Sequence, residues 1–146
     1  MKKSRRKILG AALGAGALAA PAHAQAPQKK LHFRGPKPEG VPLFPSAVSY
    51  GNMVYISGHG TNSVPGIREQ TRKVLDDIKQ ILESAGSSME KVLKCNVYLN
   101  DIRDYAAMNE VYRGSFGEAP PARTTLAIAN IPLPGCLVEI EMTAYI

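Results

Sequence analysis

Residues 138–145 alternate without a fault: Val138, Ile140, Met142 and Ala144 are apolar, with Glu139, Glu141, Thr143 and Tyr145 between them. A period of two predicts a strand with one face on a core and the other left polar. Val92 to Leu99 alternates in the same way, which places Leu93, Cys95, Val97 and Leu99 inward and Lys94 and Asn96 outward. Two β-rich runs, Ala47 to Tyr50 and Met53 to Ser57, flank the pair Gly51-Asn52 and predict a hairpin whose second strand ends at Gly58 and Gly60. Arg123 to Ala129 supplies one more strand, between a Pro120-Pro121 break and the connection Ile131-Pro132-Leu133-Pro134-Gly135.

From Ile67 the period changes. Ile67, Thr71, Val74, Ile78, Ile81 and Ala85 recur at three- and four-residue steps, with Arg68, Lys73, Asp77, Lys79 and Glu83 assigned to the opposite side. This is an amphipathic helix closed by Gly86 just past its end. Asn100 or Asp101 caps a second helix carrying Ile102, Tyr105, Met108, Val111, Tyr112 and Phe116, broken over Glu118 to Pro121. The order is β-β-α-β-α-β-β. It predicts an α+β fold in which two helices pack on one face of a mixed sheet.

The first residues follow a different logic. Lys2, Lys3, Arg5, Arg6 and Lys7 precede an apolar run from Ile8 to Ala20, too short to anchor in a bilayer, and then Ala22-His23-Ala24. Ser4-Arg5-Arg6-Lys7-Ile8-Leu9 carries the paired arginine of a twin-arginine export signal. The division expected is a signal peptide over 1–24, a Pro-rich linker or surface arm over 25–42, and one domain over 43–146. Cleavage after Ala24 would release a periplasmic or secreted protein with no stable membrane anchor.

That division changes the meaning of the charge. The whole chain has 18 Lys+Arg against 12 Asp+Glu, but five of the bases lie in residues 1–24, so the remainder stands at 13 against 12. A formal +1, with no basic stripe, gives no footprint for nucleic acid. The two cysteines, Cys95 and Cys136, are permitted to pair in an oxidising compartment, but Cys95 sits in an apolar run where a free cysteine acts as a small buried hydrophobe. No His/Cys group has metal-ligand spacing.

Arg123 opens a strand just after the Pro-Pro break, where its planar fork fits a carboxylate. Glu139 lies on the polar face of the last strand. If those two strands pair, the residues flank one cleft, the arginine holding an anion and the glutamate positioning water or moving a proton. The plainer reading is an Arg–Glu salt bridge on a solvated sheet face. His59 likewise reads either as a proton carrier or as a turn histidine.

Taken in order, the motifs resemble the Rid family, also called YjgF or L-PSP, the reactive-intermediate deaminases. Those that carry the resemblance are Gly51-Asn52-Met53-Val54-Tyr55-Ile56-Ser57-Gly58, Gln70 to Ile78, Lys94 to Asp101, Pro121-Ala122-Arg123-Thr124 and Val138-Glu139-Ile140-Glu141. The resemblance implies a chorismate-mutase-like (YjgF) fold, a homotrimer with clefts between subunits, and no cofactor. It implies an imine or enamine deaminase of the 2-iminobutanoate/2-iminopropanoate type. Its ligand would be a small carboxylate-bearing imine or keto acid. Arg123 falls on the family's carboxylate-binding arginine and Glu139 on the glutamate that positions water. Thr124 and Thr125 fall near its backbone ligands, and Gly58 in the Ser-Gly pair lining the cleft. The chain departs from the pattern at Phe44, where active members carry a tyrosine, at Thr125 in place of cysteine, at His59 in place of glutamine, and by one extra residue in the Pro-Leu-Pro-Gly-Cys loop. Phe44 favours an alternative, a non-catalytic module of the same fold that captures small carboxylates.

Overall fold

The computed structural model describes residues 26–146; the expected signal peptide lies outside them. Six strands, β1 (Lys30–His32), β2 (Ala47–Tyr50), β3 (Met53–Gly60), β4 (Val92–Leu99), β5 (Ala122–Ala127) and β6 (Val138–Tyr145), form one sheet in the order β1-β2-β3-β6-β4-β5. Only β4 and β5 run parallel, so the sheet is mixed. The helices α1 (Ile67–Ser84) and α2 (Tyr105–Tyr112) cover one face. This is the α+β arrangement that the periodicities imply.

The core follows the alternation. Val138, Ile140, Met142 and Ala144 of β6 are all buried, with Val54 and Ile56 of β3 and Cys95, Val97 and Leu99 of β4 beside them. Val74, Ile78, Ile81 and Leu82 of α1 seal the layer from above. Each such side chain contributes roughly 1.5–3 kcal/mol by leaving water. Gly86 closes α1 with φ +85°, a left-handed conformation that a side chain disfavours. Cys95 and Cys136 are both buried and free.

Four expectations need correction. The arm is not only a surface linker, because Lys30–His32 pairs antiparallel with β2 and adds a sixth strand. Leu93 is exposed and Val92 is buried, since the β4–β6 register shifts between Val92 and Lys94 and reverses the alternation there. The second helix starts later than expected: Ile102 is exposed in a 3-10 turn, whose Asp101 carboxylate accepts the Arg103 backbone N–H at 2.8 Å. Asp77 is buried, not on the solvent side of α1.

Among the described residues, nothing covers the opposite face of the sheet. It presents Tyr55, Lys94, Asn96, Tyr98, Glu141 and Thr143, with the Asn96 amide and the Tyr98 hydroxyl both donating to Glu141 Oε1, at 2.7 and 3.0 Å.

Candidate active site

Glu139 lies on the uncovered face near the start of β6, opposite Gly60 of β3. Its carboxylate rests against Gly58, where an added methyl would stand 2.4 Å from Oε1. A side chain at Gly58 would therefore displace the Glu139 carboxylate. Beside Glu139 opens a cavity of about 570 Å³ whose other walls include Phe44 from the segment leading into β2, Gly58 and Gly60 from β3, and Pro132 and Leu133 from the β5–β6 connection. Gln70 of α1, which is buried, fastens that connection: its amide nitrogen donates to Gly135 O at 2.9 Å and its oxygen accepts Leu137 N–H at 2.7 Å. Phe44, exposed at 64%, brings a ring and no hydroxyl.

Arg123 lies elsewhere. It is the second residue of the edge strand β5 and turns toward α2, on the helix-covered side of the sheet. Its guanidinium carbon lies 4.6 Å from the Tyr112 ring centroid and 5.9 Å from that of Tyr105, and Nη2 donates to the Tyr105 hydroxyl at 3.4 Å. These rings attract the cation and orient its fork. Tyr105, Asn109, Tyr112, Arg113 and Arg123 line a second cavity of about 330 Å³. Burial pushes the Cys95 thiol beneath it up to about 11 and drives the Tyr112 phenol up as well.

The expected pairing of the Arg123 and Glu139 strands does not occur. β4 separates β5 from β6, Arg123 aligns with Cys95 whereas Glu139 aligns with Tyr98, and the two side chains leave opposite faces. One chain thus makes neither the shared cleft nor the Arg–Glu salt bridge. Among the described residues, no ion pair includes either of them. Thr124 is exposed and its hydroxyl accepts from Lys94 Nζ at 2.7 Å. The Thr125 hydroxyl is buried without a partner on the Arg123 side, as is that of Tyr112.

His59 is a strand residue, not a turn residue. It aligns with the inward-facing Ile140, and its Nε2 lies 3.5 Å from Asp77 Oδ2. The roles of Tyr105 and Tyr112 were hidden because both read as apolar helix positions; their seven-residue spacing, two turns of a helix, was the available signal. No group of three His, Cys, Asp or Glu with the geometry of a metal site occurs among the described residues.

Comparison with known proteins then decides the family. The profile described as endoribonuclease L-PSP matches residues 36–146. The chain belongs to the L-PSP (YjgF/Rid) family. It is 40% identical over 124 residues to a RutC family protein of Pyrococcus abyssi, covering 80% of this chain and 97% of that one. It is 46% identical over 105 residues to the mitochondrial protein mmf2 of Schizosaccharomyces pombe, covering 67% and 83%. Among solved structures, RidA from the Antarctic bacterium Psychrobacter sp. superposes with a TM-score of 0.68 at 39% identity, covering 75% of this chain and 93% of its own. A Mycobacterium tuberculosis member of the YjgF/YER057c/UK114 family superposes at 0.74 with 29% identity, covering 82% and 100%. The family profile begins at residue 36, inside the Pro-rich segment, so the L-PSP fold takes in part of the arm.

Proposed function

We propose that this L-PSP family chain is an exported hydrolase that deaminates small imines and enamines of 2-keto acids in clefts between copies of a homotrimer. The observation that carries this is the separation of Arg123 and Glu139. Among the described residues each lines its own cavity without a charge partner, and they lie on opposite faces, so a site using both needs a second copy. The uncovered, tyrosine-bearing sheet face gives such a copy a surface to pack against.

In this reading Arg123 holds the substrate carboxylate by two parallel N–H···O bonds. Glu139 takes a proton from water as its oxygen bonds to the imine carbon, and the C=N π bond opens onto nitrogen. That nitrogen is protonated, the C–N bond breaks, and the carbinol oxygen forms C=O as it loses its proton. The products are a 2-keto acid and ammonia. Gly58 gives the substrate access to Glu139, and the backbone at Thr124 and Thr125 lines the Arg123 side. Positioning and proton transfer suffice for bonds this labile, and no cofactor enters the scheme.

Purified protein of residues 25–146, fed imines generated in situ from an amino acid, is expected to release ammonia and keto acid faster than buffer. Arg123→Ala is expected to abolish that acceleration. Binding of 2-ketobutyrate without acceleration would instead establish the carboxylate-binding module, the reading that the missing hydroxyl at Phe44 favours. The near-neutral balance of 13 bases against 12 acids supports a small anion over RNA as ligand. Export rests on the paired arginines. Replacing Arg5 and Arg6 by lysine is expected to leave unprocessed precursor inside the cell, and normal processing would refute the twin-arginine route.

A further inference from the structure

The Asp77 side chain is only 4% exposed. A carboxylate withdrawn from water is costly unless charges and donors surround it, and three basic groups do so here. Lys73 donates to Oδ1 from one turn back on α1. The Arg34 guanidinium reaches the same oxygen from the arm, and His59 of β3 faces Oδ2. An exposed i,i+4 pair with Lys73 would satisfy the helix by itself. The other two partners belong to the two segments that wall the Glu139 cavity.

The arm side is continuous. The Arg34 backbone N–H donates to the Ser46 hydroxyl at 3.0 Å. Ser57 grips the same stretch, its N–H donating to Ser46 O at 3.1 Å and its hydroxyl to Pro45 O at 2.8 Å. Phe44 immediately precedes that grip. On the strand side, His59 sits between Gly58, whose bare position admits the Glu139 carboxylate, and Gly60, which pairs with Glu139 across the strands and makes room for the Cys136 sulfur. One buried carboxylate is thus tied to both walls.

We propose that Asp77 is the positioning residue of the Glu139 cavity: through Arg34 it holds the stretch between the arm and β2 that presents Phe44, and through His59 the end of β3 that presents Gly58. Its effect falls on binding, because Asp77 itself lies on the helix-covered side of the sheet, away from the Glu139 carboxylate. The proposal rests on the reading of that cavity as the substrate site. Neutralising Asp77 leaves the Arg34 and Lys73 charges facing one another and His59 with no carboxylate between them.

The test compares Asp77→Asn, which keeps the volume, with Arg34→Gln and Arg34→Lys in protein of residues 25–146. The readouts are the Kd for 2-ketobutyrate, kcat on saturating imine, and amide hydrogen exchange over residues 33–46 and 57–60. Asp77→Asn is expected to weaken 2-ketobutyrate about tenfold and to speed exchange in both stretches about tenfold, with kcat changed less than about twofold. Arg34→Gln is expected to loosen 33–46 alone, and Arg34→Lys to restore most of its protection. Should Asp77→Asn fail to fold, the partly exposed Arg34 variants still decide the arm connection. Unchanged exchange in both stretches overturns the proposal, and so does a uniform rise across all strands, which marks a general structural role. If the wild-type chain neither binds 2-ketobutyrate nor hydrolyses imines, the substrate-site reading fails, while the exchange pattern still decides whether Asp77 clamps the two segments.

Discussion

Arg123 stands on an edge strand with two tyrosine rings behind it, whereas Glu139 stands inside the sheet, its carboxylate over Gly58, which carries no side chain at all. The first half of the candidate site is made by adding support: aromatic faces that orient a cation. The second is made by removal, with a glycine that lets a carboxylate lie against the backbone and Phe44, ahead of β2, as a distant wall. In the proposed reading, a single chain therefore holds two unlike half-sites rather than one site. Each half also fails in its own way: the arginine by loss of a contact, the glutamate by gain of one.

The sharpest way to break this comparison is to disable each half in a different chain. Arg123→Ala and Glu139→Ala are each expected to be inactive alone. Unfolded together and reassembled in equal amounts, they are expected to recover about a quarter of wild-type sites, because a heterologous interface joins an intact arginine half to an intact glutamate half at that frequency. Recovery of nothing means that both residues act within one chain or that one of them does not act. Next in size is Gly58→Ala. Its methyl would stand 2.4 Å from Glu139 Oε1, so the carboxylate must move. A displacement on the order of 1 Å costs roughly 100-fold in rate. Normal turnover in Gly58→Ala would remove Glu139 from the mechanism. Tyr105→Ala touches the other half and is expected to weaken 2-ketobutyrate only about two- to fivefold, the value of a cation–π contact near the surface. A purely geometric role for Tyr105 would be shown by full recovery in Tyr105→Phe, and an additional role for its hydroxyl by the lack of it.

Legibility differed between the halves for physical reasons. Strand β6 and helix α1 could be read from sequence because each buries one face, and one-sided burial imposes a period. The β5 position of Arg123 was legible from its Pro-Pro break. That β4 lies between β5 and β6 was not, because strand order depends on long-range pairing, which leaves no mark on local alternation. Strand β1 was hidden for a related reason: Lys30, Leu31 and His32 have little apolar pattern and become a strand only by bonding to β2. The burial of Asp77 has a signal in its spacing. It falls three residues after Val74 and four before Ile81, within the apolar stripe, where its charge alone points to solvent. Gln70, four residues before Val74 and also buried, continues the stripe.

The smallest expected effect separates the halves by pH. Next to Arg123, Cys95 and Tyr112 are pushed upward by burial, away from neutrality, so they add no slope there. Next to the Glu139 cavity, burial lowers the affinity of His59 for a proton, with the Arg34 charge acting in the same direction and Asp77 opposing both. The folded chain then refuses a proton that the unfolded chain accepts below about pH 6.5. Stability from this source is complete above that value and declines as the pH falls. For Asp77, burial favours the neutral acid, but the Lys73 hydrogen bond and the Arg34 charge outweigh it and hold the carboxyl below its ordinary range. Its contribution persists through the His59 step and is lost only in stronger acid. The urea midpoint is thus expected to fall between about pH 7.5 and about pH 5.5, and His59→Gln should flatten that slope while Tyr112→Phe leaves it unchanged. A slope that survives in His59→Gln would place the titrating group elsewhere and dissolve the contrast in pH response between the halves.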